Sequence, residues 1–278
     1  MNNSTFGHLV DLGKQSGGVH PLINVLQGTL FAVCGCFATI NNALILIMFA
    51  RFEKLRSTAG LAHLGVLAFF DLTIGVGSIG EVAAQYRALM GIAITKARCL
   101  SELSVILFGA ITSPLFVLLI GYDRLGALSD PIAYRNAKHL QLAIGRGVVV
   151  ACFGAFQLFL SAMNSGDLNE QLTFCNPSVC WELGYTIFFL IMVLAQMMAK
   201  LTRTVLITVA VYLTLWLTPN IVSFLGASLN MPQATQMSLS CMVGVSQGIN
   251  ASVNIVIYSK KTPVFNECLR KLVRAFAS

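Results

Sequence analysis

The apolar positions of this chain fall in unbroken, helix-length runs, near 24–49, 58–80, 99–122, 142–163, 181–199, 204–228 and 234–258, with short polar stretches between them. A helix needs about 20 residues to cross roughly 30 Å of hydrocarbon. Inside a bilayer only helices and closed barrels satisfy every backbone N–H and C=O, and long runs rather than two-residue alternation select helices. The pattern therefore predicts seven spanning helices. Beyond the seventh, Phe265, Leu269, Leu272, Val273 and Phe276 recur at helical spacing with Lys and Arg between them, which predicts a short amphipathic helix on the membrane surface. The expected architecture is an all-α membrane protein with one domain over 1–278: a tail at 1–23, a seven-transmembrane helix bundle at 24–258 and an amphipathic tail at 259–278.

Composition excludes a soluble domain, since only 10% of residues are charged, 56% are hydrophobic and the mean hydropathy is +0.77. Seven spans put the two termini on opposite sides. Of the 18 Lys and Arg residues, all but Lys14, Arg87, Lys96 and Arg98 fall on the side of the C-terminal tail. Basic loops stay inside, so the N-terminus is expected outside and the tail in the cytoplasm, as in a multi-pass plasma-membrane protein. The net charge of +7 is then a topology signal that suits anionic inner-leaflet lipid and calls for no nucleic acid. Residues 1–20 lack the layout of a cleavable signal, so the first span is expected to insert itself. Asn2-Asn3-Ser4 and Asn3-Ser4-Thr5 are acceptor triplets for glycosylation in the outer tail, at Asn2 or Asn3.

Few residues inside the spans carry chemistry. Asp71 is the acid nearest mid-membrane, where an ionisable group is costly unless paired, hydrated or ion-bound. Cys34, Cys36, Cys152 and Cys241 sit in apolar runs and read as small hydrophobes, which leaves Cys99, Cys175 and Cys180 for an oxidising outer face. His8, His20, His63 and His139 are scattered, and no paired carboxylates, metal spacing or nucleophile-base arrangement suggests an enzyme.

The run from Cys99 ends in Gly121-Tyr122-Asp123-Arg124-Leu125, twenty-five residues on, and Pro131 follows Arg124 by seven. The second span holds Leu67-Ala68-Phe69-Phe70-Asp71, the seventh Asn254-Ile255-Val256-Ile257-Tyr258, and Phe265 follows Tyr258 by seven. This set resembles the rhodopsin-like G-protein-coupled receptors. Compact length, Leu55-Arg56-Ser57 before the second span, Asp-Arg-Leu closing the third, and Ile255 in place of the seventh-span proline are most similar to the nematode serpentine chemoreceptors of the Srsx type. The resemblance implies a G-protein-coupled chemosensory receptor for a small molecule or peptide, with a heterotrimeric G protein, an extracellular ligand and membrane lipid as partners. It implies a switch of Asp123, Arg124, Asn254 and Tyr258, in which Asp123 holds Arg124 at rest. It further implies a disulfide from Cys99 to Cys175, with Cys180 as the alternative, and a sodium ion among Asp71, Ser113, Asn250 and Asn254, with no other cofactor. Cys268 in the tail is a candidate for palmitate.

Ligand chemistry is less legible. Ile106 stands where amine receptors carry their aspartate and Gly248 where opsins carry the retinal lysine, which argues against both modes. Glu81, Glu102, Arg87, Lys96 and Arg98 cluster near the outer ends of the second and third spans, so Glu102 and Ile106 mark the expected ligand pocket and the charges a rim. One departure matters. Trp181 to Leu229 must supply two spans and the loop between them, with Trp216 three residues before Pro219 rather than two, so no cytoplasmic extension remains. A non-signalling receptor variant is therefore the alternative, followed by a seven-helix channel.

Overall fold

In the computed structural model the described residues are 21–58, 60–164, 166–172, 175, 218–219, 221–222, 231 and 233–277. Among them α1 (Pro21–Arg51), α3 (Ala62–Leu89), α4 (Lys96–Ser129) and α6 (His139–Asn164) are long and apolar enough to cross a membrane. They contain the first four predicted spans. Two short helices, α2 (Glu53–Ser57) and α5 (Pro131–Asn136), lie in the connections, and α7 (Gln233–Lys261) with α8 (Pro263–Ala277) covers the seventh span and the tail. The fifth span, the sixth apart from residues 218–219 and 221–222, Cys180, Asn2 and Asn3 lie outside the described residues.

Large apolar side chains point outward, among them Leu26, Val33, Phe37 and Ile40 on α1 and Val148, Val149, Phe156 and Phe159 on α6. Buried with the core are Asn42, Asp71, Ser113, Asp123 and Asn254. Apolar residues outside and polar ones inside is the arrangement a bilayer favours, because lipid covers the first set and the bundle satisfies the second.

Glycines set the helix spacing where lipid offers no hydrophobic drive between helices. A Cβ on Gly77 of α3 would meet the backbone nitrogen of Ile106 in α4 at 2.3 Å, and one on Gly75 would meet the backbone nitrogen of Thr39 in α1 at 2.6 Å. Backbone cannot give way as a flexible side chain can. Gly77→Ala is therefore expected to destabilise the bundle by at least the ~1–3 kcal/mol of ordinary overpacking, measured as a lower unfolding midpoint of the detergent-solubilised protein.

At one end, β1 (Ile94–Thr95) pairs antiparallel with β2 (Gln171–Leu172), Ile94 opposite Leu172. The loop after α6 is thereby drawn over the start of α4, where Lys96 N and Ala97 N donate to the carbonyls of Glu170 and Leu168, each at 2.9 Å. Cys175 reaches Cys99 there and forms the disulfide.

At the other end, α8 uses its apolar face differently from expectation. Phe265, Cys268 and Leu272 are buried in one cluster with Ile45, Met48 and Phe49 of α1 and Leu55 of α2. The short helix α2 supplies apolar surface at the level where lipid was expected, and Val273 stays exposed. Burial pushes the Cys268 thiol up from its ordinary pKa, and a buried, protonated thiol is a poor acceptor for an acyl chain.

Candidate functional site

Mid-bundle, Asp71 on α3 is fully buried and takes a hydrogen bond on each oxygen: the Ser113 hydroxyl of α4 donates to Oδ1 and the Asn254 amide of α7 to Oδ2, both at 2.6 Å. Three helices are thus tied at one carboxylate. Asn42 of α1 adds the fourth element, since its Nδ2 donates to the Ala251 carbonyl of α7 at 3.0 Å. Its Oδ1 is buried without a partner, an acceptor left over beside this junction. Asn250 is half-buried and is not joined to Asp71 by a hydrogen bond. Of the four residues expected around an ion, two therefore touch the carboxylate directly.

At the inner end of α4, Asp123 and Arg124 part company. Successive helix residues diverge by about 100°, and the structure uses this to send them to different neighbours. Asp123 is buried and accepts from Arg146 Nη1 of α6 at 2.6 Å and from the Tyr134 hydroxyl of α5 at 2.7 Å. Arg124 instead donates to the Gly60 carbonyl at 3.3 Å. The expected hold of Asp123 on Arg124 is not formed; Arg146 occupies one carboxylate oxygen and Tyr134 the other.

Local sequence explains how Tyr134 arrives. Asp130 caps α5 by accepting from Ala133 N at 2.9 Å, and Pro131 occupies the first turn, where a missing N–H costs nothing. One turn on, Tyr134 packs at a tilt against His139, ring centres 4.6 Å apart, and reaches back to Asp123. Burial, with the hydrogen bond to Asp123, pushes the Tyr134 pKa up to about 12, so it stays a donor at physiological pH. His63 of α3, fully buried, completes the cluster with Nε2 2.9 Å from Arg146 Nη1. A guanidinium only donates, so this nitrogen accepts and the ring is neutral. The 3.7 Å approach of His63 to Asp123 is then a contact rather than an ion pair. Gly60, at φ +76, has Arg124 where its Cβ would lie. Tyr258 packs on Phe265 at 6.2 Å and makes no hydrogen bond to Arg124.

The outer residues are placed as follows. Glu102 is engaged by Arg87 and, at 3.1 Å, by Arg98. Ile106 is buried against Gly77. Glu81, expected on a rim, lies within α3 and is only 2% exposed, because that helix runs on past the second apolar stretch to Leu89.

Residues 35–199, more than half of the chain, match the family described as serpentine type 7TM GPCR chemoreceptor Srsx. The chain belongs to this family. Residues 193–264 also match the C-terminal region of the G protein-coupled glucose receptor regulating Gpa2. Human olfactory receptor 4Q3 is 23% identical over 139 residues, which are 50% of this chain and 43% of that protein, so the chain spans less than half of this curated relative. All three descriptions are of receptors rather than enzymes.

For an Srsx chemoreceptor, the partners of Asp123 were the part that sequence reading missed. Arg146 is the one basic residue within the fourth apolar run and His63 lies in the second, signals that had been counted only toward topology or scatter.

Proposed function

We propose that this chain is a seven-helix chemosensory receptor at the plasma membrane, N-terminus outside, that couples an external small molecule or peptide to a heterotrimeric G protein. The observation that carries the reading is at the inner end of α4. Asp123 is locked to Arg146 and Tyr134, while among the described residues Arg124 is held by one loop carbonyl. An arginine so lightly tethered at an inner helix end can leave with little loss and face a partner. Ligand binding in the outer half shifts the population toward the state in which it does, with Asn254 and Tyr258 rearranging on α7. Reconstituted with G protein, the receptor is expected to accelerate nucleotide exchange, and Arg124→Ala to abolish this while leaving surface expression largely intact. Unchanged exchange in that variant would remove Arg124 from the mechanism.

Asp71 is the proposed holder of a sodium ion. Each carboxylate oxygen retains a lone pair beyond its single hydrogen bond, the Ser113 oxygen remains an acceptor, and Asn42 Oδ1 is an unused buried one. Asn254 and Asn250 would complete the set. Replacing choline chloride by sodium chloride is expected to raise the unfolding midpoint of the wild type and not of Asp71→Asn. A sodium effect surviving in the variant would place the ion elsewhere.

The limited length between Trp181 and Leu229 favours one other reading, a receptor variant that does not signal and pairs with intact relatives. Under it the wild type gives no exchange with any G protein.

A further inference from the structure

Outward of Asp71, α3 turns a polar stripe into the bundle. Ser78, Glu81 and Gln85 stand three and four residues apart, on one helix face, and all are buried. Ser78 is satisfied locally, donating to the Ile74 carbonyl at 2.8 Å. The other two are not. Glu81 Oε2 and Gln85 Oε1 are fully buried acceptors with no hydrogen-bond partner, and on α7 the amide Nε2 of Gln247 is a buried donor in the same condition. Contacts with α1 place these groups in one layer. Gly28 abuts Gln85 and Gly35 abuts Ser78 on one side of α1, while Gly244 abuts Phe31 and Gly248 abuts Cys34 on another.

No cation among the described residues compensates Glu81. The basic side chains of this end are committed elsewhere, Arg87 and Arg98 to Glu102 and Lys96 to Glu170. Holding an ionised carboxylate there without a partner is so costly that the site favours the charge only when a cation is brought to it, and such an acid inside a membrane bundle marks function by default. The Asp71 site lies ten residues inward, about 15 Å along the helix axis.

We infer that Glu81 and Gln85 form the recognition point for a small ligand bearing a protonated primary amine. An ammonium brings three donors and a charge. It answers the unpaired carboxylate and the unpaired amide oxygen one turn away, while the Gln247 amide meets a neutral acceptor on the same ligand. The acid thus comes from α3 rather than from the α4 position that Ile106 occupies. This inference rests on the reading of the chain as a receptor whose ligand binds in the outer half.

The test is thermal unfolding of the purified full chain at pH 7 with primary amines of graded size, from ethanolamine to 2-phenylethylamine, each beside the alcohol in which hydroxyl replaces the ammonium. At least one amine is expected to raise the midpoint in a saturable way where its alcohol does not, and Glu81→Gln to weaken that amine at least tenfold. Without ligand, Glu81→Gln is expected to unfold near the wild-type temperature, because it replaces an unpartnered buried carboxyl by an amide of the same shape. Stabilisation by no amine, an amine effect that survives Glu81→Gln, or a ligand-free variant markedly less stable than wild type each overturns the inference. Binding is read without G protein, so amine binding with no nucleotide exchange would defeat the receptor reading and leave the amine site standing.

Discussion

Arg146→Ala is expected to raise ligand-independent nucleotide exchange and to lower the amount of receptor at the cell surface. Arg146 is the only cation hydrogen-bonded to Asp123 among the described residues, and the carboxylate is buried to 3% exposure. Removing one partner of a buried pair costs about 3–5 kcal/mol, because the remaining charge is left uncompensated. If the pair holds α4, α5 and α6 in the resting arrangement, that cost falls on the resting state alone. A loss of about 1.4 kcal/mol already shifts the population tenfold. The Tyr134 hydroxyl offsets little of this, since it supplies one neutral hydrogen bond. Arg146→Lys retains the charge but not the length and planarity of the guanidinium whose Nη1 meets both Asp123 and His63, and an intermediate basal rate is expected. Tyr134→Phe is expected to have a smaller effect in the same direction, of the order of a single hydrogen bond, about 0.5–1.5 kcal/mol. Basal exchange normalised to surface receptor separates the two consequences. A variant that loses surface protein with unchanged exchange per receptor would make the cluster a folding element only.

How far the sequence reaches is seen by comparing Asp71 with Asp123. Asp71 is isolated in an apolar run, so its need for partners is legible, whereas Ser113 and Asn254, which donate to it, and Asn250, which does not, are reached only through the family resemblance. Asp123 was misread because a sequence shows its adjacent arginine and hides the helix rotation that separates them. Its hydrogen-bond partners come from two other elements, α5 and α6, and their meeting depends on the α5 turn set by Asp130 and Pro131. The helix boundaries drifted for a related reason. Apolar runs report the stretch in lipid, whereas α3 continues through Glu81 and Gln85, polar residues that face inward and so interrupt the hydropathy without ending the helix. The tail helix was visible from its period, yet the period could not say whether its apolar face meets lipid or the α1–α2 corner.

Cys99→Ser is expected to cost the fold about 2–4 kcal/mol, with Cys175→Ser costing the same. The bridge closes a segment with a sequence separation of 76 that contains most of α4, all of α5 and all of α6. Loop-closure entropy alone gives about 4.5 kcal/mol for a chain of that length. Part of that is forfeited because helices inserted in a bilayer keep their form in the unfolded reference state, which leaves fewer conformations for the bridge to remove. The native side adds to the loss, since Cys99 and Cys175 are buried with Ile94, Leu103 and Ile106, and the β1–β2 pair with the Lys96 and Ala97 hydrogen bonds would be left to hold the loop over α4. Two measurements fix the pairing. The double variant is expected to unfold no lower than either single one, because the second substitution breaks nothing that the first has left intact. Cys180→Ser is expected to match the wild type, and a loss there equal to that of Cys99→Ser would move the bridge from Cys175 to Cys180.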